Sequence, residues 1–201
     1  MEEREQRYYY SLYEIAATVN SAGTPESVLR SIVENVAKAL EAKGCSLMLL
    51  TPDGKLLLHT AAYGLSDWYV RKGLVSADKS LAEALEGRPV AVVAATEDDR
   101  IQYREQARQE GIASILSVPV MLREEVVGVM RVYAGEPRHF TDADIYFVGA
   151  VANLGAIALE NARLYDSATK DYEALRLDLA EWRAALGYEW LAEEPVRPPR
   201  E

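Results

Sequence analysis

The segment Ser114-Ile115-Leu116-Ser117-Val118-Pro119-Val120-Met121-Leu122, followed after Arg123-Glu124-Glu125 by Val126-Val127-Gly128-Val129-Met130-Arg131-Val132-Tyr133-Ala134, decides how the chain folds. Both stretches are apolar and rich in β-branched residues, so they read as two strands, 114–122 and 126–134, joined by a tight turn at Glu124-Glu125. Successive residues of a strand point to opposite faces. One face of the first strand therefore presents Ile115, Ser117 and Pro119, and one face of the second presents Val127, Val129, Arg131 and Tyr133. The other face of the second strand, with Gly128, Met130 and Val132, is apolar and is expected to lie on helices. Pro119 withholds one ladder donor, which implies an edge or a bulge, and Gly128 permits close backbone approach. A charge in mid-strand, as at Arg131, is costly unless it meets a partner, water or an anion. A salt bridge to an acid in a nearby loop, or a solvated sheet face, would satisfy it equally.

Downstream, a long helix opens at Thr141, with Thr141 and Asp144 spaced as a capping box. Its first half, 145–159, is apolar on most faces. In its second half Tyr165, Ala168, Tyr172, Leu175, Leu179, Trp182 and Leu186 alternate at steps of three and four, a heptad seam that must either fold back or pair with a second chain. Pro195, Pro198 and Pro199 make the last residues a tail. Upstream, Tyr9, Leu12, Ala16 and Val19 mark one helical face, which stops near 21–23. A second helix starts at Thr24 as N-cap with Pro25 at its first position, buries Val28, Ile32, Val33, Val36 and Leu40, and is expected to end at Lys43-Gly44. Residues 45–51 and 55–63 then form a hairpin across Pro52-Asp53-Gly54. Beyond it come a loop or single helical turn at 64–70, a short helix at 78–86 closed by Gly87, a strand at 89–94, and a charged loop at 96–111 carrying a short helix near 102–109.

The chain has 201 residues and a formal net charge of −10, too acidic for binding nucleic acid through its whole surface. With 49% hydrophobic and 27% charged residues it is able to bury a core. Its single cysteine, Cys45, allows no intrachain disulfide, and no Cys/His cluster suggests a metal. The acidic start, Met1-Glu2-Glu3-Arg4-Glu5, is unlike a signal peptide, and no stretch reads as apolar enough to span a bilayer. The expectation is a cytoplasmic protein with no membrane contact, one domain and an appendage.

Two helices, a hairpin, a helical excursion, two adjacent strands and a closing helix describe an α+β fold with helices on one face of an antiparallel sheet. The residues themselves resemble the GAF family of sensory domains over about 12–166. The resemblance is densest at Gly111-Ile112-Ala113-Ser114-Ile115-Leu116-Ser117-Val118-Pro119-Val120, Val126-Val127-Gly128-Val129-Met130, Phe140-Thr141-Asp142-Ala143-Asp144 and Ala156-Ile157-Ala158-Leu159-Glu160-Asn161-Ala162-Arg163-Leu164-Tyr165. It implies a stand-alone GAF sensory module over residues 1–166, and the heptad seam and the prolines make 167–190 a coiled-coil-like extension and 191–201 a proline-rich tail. It also implies a small-molecule pocket between the sheet and the loops opposite the long helices. Onto such a pocket map Ile115, Ser117, Arg131 and Tyr133 from the strands, Tyr63, Trp68 and Tyr69 as walls, and Asp98, Arg100 and Tyr103 as a lid, although aromatics at these positions also serve ordinary packing.

Enzymatic branches of the family fit less well. Free methionine sulfoxide reductases work through several cysteines, where this chain has only Cys45, read as a small buried hydrophobe. No cysteine lies where a bilin would attach, and the cyclic-nucleotide signature, a P-loop and G-x-S-x-G are absent. His59 and His139 read as surface or satisfied residues. The expectation is a non-enzymatic sensor without cofactor, binding an unknown small molecule for which Arg131 suggests an anion. It would form a homodimer through helices 9–19 and 145–186 and address an effector protein. A ligand-free dimerisation scaffold is the alternative reading, and a thiol enzyme is the third.

Overall fold

A computed structural model describes residues 2–20, 24–77 and 82–185 of the chain. In order they form α1 (Glu2–Val19), α2 (Pro25–Ala39), β1 (Gly44–Leu50), β2 (Leu56–Tyr63), α3 (Asp67–Val70), β3 (Val75–Ser76), α4 (Ala82–Leu85), β4 (Val90–Val92), α5 (Arg104–Glu110), β5 (Ser114–Leu122), β6 (Glu125–Ala134) and α6 (Asp142–Ala185). The strands make one six-stranded sheet in the order β3-β2-β1-β6-β5-β4, antiparallel at every pairing. A first compact unit ends at Glu160, and a second starts at Asn161 within α6. The seam residues Tyr165, Ala168, Tyr172, Leu175, Leu179, Trp182 and Leu186, and the prolines of the tail, lie outside the described residues or side chains, as do residues 78–81 of the expected 78–86 helix.

The helices form where their chemistry directs. Thr24 accepts the Ser27 amide at 3.3 Å, Pro25 occupies the first turn, and Val28, Leu29, Ile32, Val33 and Val36 make the buried stripe of α2. This helix ends at Ala39 instead of continuing to Lys43-Gly44, because Glu41 turns the chain with a left-handed φ of 51° and Gly44 already belongs to β1. Phe147, Val148, Val151, Ala152 and Ala156 of α6 join these residues on Leu47, Leu116, Val118, Met130 and Val132, which makes the main core. The stretch Asp142–Ala162 does reach the length and apolarity of a bilayer span, against the expectation. Its buried side chains are spent on this core, as in the central helix of a packed domain.

The β5–β6 hairpin pairs Ser117 with Arg131 and Ile115 with Tyr133. Its turn is Arg123-Glu124, one residue earlier than expected, with Arg123 at a φ of 58°. A register shift between Val120 and Met121 leaves Val127 without an opposite residue, so Val127 packs towards the helices and not beside Val129. At Gly128 a Cβ would lie 2.3 Å from the Met48 carbonyl oxygen, so only glycine lets β1 and β6 meet there. Because β4 pairs only with Ile115, Leu116 and Ser117, Pro119 lies on a stretch of β5 whose outer edge no described strand covers.

One buried carboxylate ties α1 to α6. Asp144 is fully buried, its carboxylate accepts the Thr141 amide at 2.8 Å, and its own amide donates to the Thr141 hydroxyl oxygen at 3.3 Å, which completes the capping box. It also accepts the Tyr8 hydroxyl, pairs with Arg4 at 2.9 Å and lies 3.6 Å from Arg138. The Tyr8 ring stacks on Phe147 at 4.3 Å. Burial pushes the Asp144 carboxyl up, but the Tyr8 and Thr141 hydrogen bonds and the Arg4 and Arg138 charges outweigh it, and the group is held below its ordinary 3.8. A carboxyl depressed in the folded state contributes stability that is present above its unfolded pKa and lost as pH falls through the folded value. Asp144→Asn should therefore lower unfolding stability by roughly 2–3 kcal/mol at pH 7. In urea titrations the gap to the wild type should shrink as the pH falls below the ordinary carboxyl value of 3.8.

Candidate functional site

The sheet face turned away from the helices is built from alternate residues of four strands. β1 supplies Ser46 and Met48, β5 supplies Ile115 and Ser117, β6 supplies Val129, Arg131 and Tyr133, and β2 supplies Leu57 and His59. Tyr69, Ile101, Ala107 and Ile112 close over Ile115 and Tyr133, while Val75, Ala77 and Ala84 close over Met48, Leu57 and Val129. Between these two apolar clusters sits Arg131, only 5% exposed. Its Nε donates to the Ser117 hydroxyl at 3.1 Å, and the Tyr133 hydroxyl is a further hydrogen-bonding neighbour. Tyr133 in turn shares a 2.9 Å hydrogen bond with Ser46 and meets the Tyr69 ring edge-on at 6.0 Å.

A second cation reaches this region from the loop after α3. The Lys72 ammonium lies 3.8 Å from the centre of the Tyr69 ring and 5.6 Å from that of Tyr103, and donates to the Tyr69 carbonyl at 3.0 Å. Burial and the Arg131 charge pull it down to about 8, against a smaller opposing pull from Glu110. Glu110 itself accepts the Ser66 amide at 2.8 Å and the Ser66 hydroxyl at 2.5 Å. The loop is latched from above: the Tyr103 hydroxyl donates to the Leu74 carbonyl at 2.8 Å, and the Gln102 side-chain oxygen accepts the Ser76 amide at 2.9 Å. Gly73 makes the latch fit, with a φ of 138° and a Cβ position only 2.5 Å from the Tyr103 oxygen.

His59 is the third polar group. Both ring nitrogens are buried without a hydrogen-bond partner among the described residues. Burial first, then the Lys72 and Arg131 charges, push the imidazole down to about 4, so it is neutral at pH 7. A cleft of about 360 Å3 opens beside it, lined also by Leu57, Val70, Gly73 and Leu74.

Of the residues singled out in the sequence, the fold brings together Tyr69, Tyr103, Ile115, Ser117, Arg131 and Tyr133. Tyr63 is elsewhere: it packs on the helix side of the sheet, near Lys38 of α2. The cause is a bulge. Met48 opposes His59 while Leu47 opposes Ala61, so Thr60 is an extra residue that turns Ala61 and Tyr63 to one face and leaves His59 on the other. Trp68 points outward at 51% exposure. Asp98 and Arg100 pair with each other at 2.7 Å, with Glu83 3.6 Å from Arg100, on the exposed surface and not as an interior lid. Ser46, His59 and Lys72 were not anticipated as site residues. Strict alternation misplaces everything beyond Thr60, and Lys72 carries no local signal at all.

Cys45 lies fully buried in the helix-side core, and burial pushes its thiol far up, so no thiolate is available to the loop-side face. Among the described residues no three His, Cys, Asp or Glu side chains are gathered for a metal ion.

A GAF domain family model matches residues 22–160, which contain all six strands and the cation-bearing face. The chain belongs to the GAF domain family. No curated protein matches it. Among solved structures it is similar to the GAF domain from a phosphoenolpyruvate-protein phosphotransferase (ptsP) from Coxiella burnetii, with 22% identity and a TM-score of 0.72 over 81% of this chain and 98% of that one. The GAF domain from the Acinetobacter phosphoenolpyruvate-protein phosphotransferase is 25% identical, with a TM-score of 0.66 over 78% of this chain and 94% of that one. The free methionine-R-sulfoxide reductase from Neisseria meningitidis, solved with its substrate, is 16% identical, with a TM-score of 0.65 over 79% of this chain and 91% of that one. At such identities the likeness speaks for the fold and leaves each GAF domain's own residues to decide its chemistry.

The His59 environment has a measurable consequence. A histidine whose folded pKa is about 4 against an ordinary 6.5 binds fewer protons folded than unfolded, so stability falls as pH drops between these values. His59→Leu should abolish that part of the acid sensitivity in urea titrations between pH 6.5 and 4. Cys45 should resist a thiol-specific chromogenic reagent in the native protein and react at once in denaturant.

Proposed function

We propose that this GAF domain is a non-enzymatic sensor that binds a small anionic molecule on the loop-side face of its sheet and reports through paired helices. The observation that carries the reading is the burial of Arg131 beside a second cation, Lys72, in a chain whose net charge is −10. A buried guanidinium with a half-buried ammonium near it makes a positive, water-poor region in which an anion is held more strongly than on the open surface. Catalysis finds no support in the one thiol, which faces the other side of the sheet. A cytoplasmic setting suits that reduced, buried cysteine.

The homodimer reading draws support from α1 and α6. Tyr9, Tyr13 and Tyr146 are 74%, 76% and 78% exposed, and Tyr9 and Tyr146 border one groove of about 290 Å3 with Leu12 and Phe147. Large exposed aromatics on adjoining helices suit a second copy of the chain. The heptad seam of residues 165–186 would extend the same pairing and carry the signal to an effector protein. A ligand-free dimerisation scaffold would account for the tyrosines equally well. The cation-bearing sheet face, and an imidazole that no described residue hydrogen-bonds, favour the sensor.

Two measurements test this. Thermal denaturation of the full chain against a broad metabolite panel should give at least one specific rise in melting temperature, lost in Arg131→Met. No rise from any compound defeats the sensor in favour of the scaffold. In sedimentation equilibrium the full chain should be a dimer, weakened at least tenfold by Tyr9→Ser with Tyr146→Ser and by ending the chain at Asp166. A monomer in every case defeats the dimer.

A further inference from the structure

Along the first compact unit α6 has two apolar sides, and the core uses one of them. Phe147, Val148, Val151, Ala152 and Ala156 pack into the main core. Between Ala143 and Glu160 the exposed positions are Ala143, Tyr146, Ala150, Asn153 and Ile157, and none of the five carries a charge. The Asp142–Ala162 stretch reaches the apolarity of a bilayer span for this reason, and only 39% of its most apolar window is buried within the domain. A helix whose outer face is meant for water carries charged and polar residues there, so this stripe calls for a cover.

The spacing says what the cover is. The five positions follow one another at steps of three, four, three and four, the repeat with which one helix packs along another. In sequence the stripe runs on by steps of four through Asn161 to Tyr165, where the heptad seam of residues 165–186 begins. A second copy of the chain brings the same stripe and the same seam, as a two-fold interface requires. The net charge of −10 makes two copies repel over most of their surface, and an uncharged stripe is where they approach most easily. Tyr9 of α1, exposed and bordering one groove with Tyr146, widens the apolar face on its flank.

The seam also gives the direction. In an antiparallel pair centred on Ala150 the two chains run past residue 160 in opposite directions, and their seams never meet. In a parallel pair they run the same way, and each seam has its like beside it. Parallel pairing sets Asn153 opposite Asn153, where the amide N–H of one side chain donates to the carbonyl oxygen of the other. In the antiparallel pair Asn153 falls beside Tyr146, away from its counterpart.

We propose that two copies of this chain pair in parallel along the α6 stripe, and that Asn153, hydrogen-bonded to its counterpart across the two-fold, selects this orientation. A lone polar residue in an apolar seam dictates how two helices align, at some cost in stability. The proposal rests on the homodimer reading above and deepens it by naming the helix face, the direction and the selecting residue.

The test uses the full chain carrying one new cysteine, Ala143→Cys or Ile157→Cys, since the native Cys45 is buried and out of reach. The two positions are 14 residues apart, about 21 Å along a helix and far beyond the span of a disulfide. After mild oxidation each variant alone should give a linked species of doubled mass. An equal mixture of the two should yield linked peptides 143–143 and 157–157 without 143–157, and the surface control Lys55→Cys should stay unlinked. Asn153→Leu, added to both, should leave the dimer at least as tight in sedimentation and let the 143–157 peptide appear. Circular dichroism confirms that each variant is folded, and should either cysteine variant fail to fold, Tyr146→Cys takes its place.

A dimer in which either position fails to link to itself, or in which 143–157 appears with Asn153 present, overturns the parallel stripe while the homodimer reading stands. A parallel dimer whose linked peptides are unchanged by Asn153→Leu overturns the role of Asn153. A full chain that is a monomer overturns both readings and leaves the stripe to a different protein.

Discussion

A guanidinium in the middle of a sheet is the constraint around which the loop-side half of the domain is organised. Arg131 occupies the strand that lies between β1 and β5, so it has no route to the sheet margin and cannot snorkel to water as a surface arginine does. Its neighbours are consequently polar where a core would be apolar: Ser117 beside it and Tyr133 two residues along, the latter anchored by Ser46. Apolar clusters gather on either side, around Tyr69 and Tyr133 and around Met48 and Leu57, and fence off the polar centre from solvent. Low dielectric strengthens each polar interaction there and raises the cost of leaving one unmade. The depressed Lys72 and His59 are consequences of the same arrangement, since each is half-buried within reach of the Arg131 charge.

The two faces of the sheet divide labour. The helix side holds α1, α2 and the first part of α6 on a continuous apolar core, locked by Asp144 through Tyr8, Arg4 and Thr141. That core holds the strands rigidly in place, and rigid elements hold polar groups to the tolerances recognition needs. The loop side is assembled from short pieces latched by side-chain hydrogen bonds, such as Tyr103 to Leu74 and Gln102 to Ser76. Short pieces at the surface open more readily than the core. Cys45 belongs to the first face, and its inertness follows from that address.

Much of this fold was legible in the residues, and the reasons are periodic ones. The α2 stripe, the capping box at Thr141 and Asp144, and the alternation placing Arg131 opposite Met130 and Val132 are short-range patterns that burial enforces turn by turn. Legibility failed where one residue was added to a strand. The bulges at Thr60 and Val127 reverse the facing of what lies beyond them, which moved Tyr63 to the helix side and kept His59 on the loop side. Alternation is a parity rule, and a single insertion changes parity without leaving a sign in composition.

The sequence by itself determined the α+β class, the antiparallel hairpin with its buried charge and the family, because helix and strand periodicity and capping are local properties of the chain. Only the tertiary structure decided the composition of the site. Lys72, His59 and Ser46 come from a loop and from the two strands of the β1–β2 hairpin, and nothing in their own neighbourhoods marks them. They become a site because the sheet and the latched loop bring them into one low-dielectric region, where each charge is felt by the others. Convergence of that kind is a property of the folded chain and has no counterpart in a residue's own surroundings in sequence.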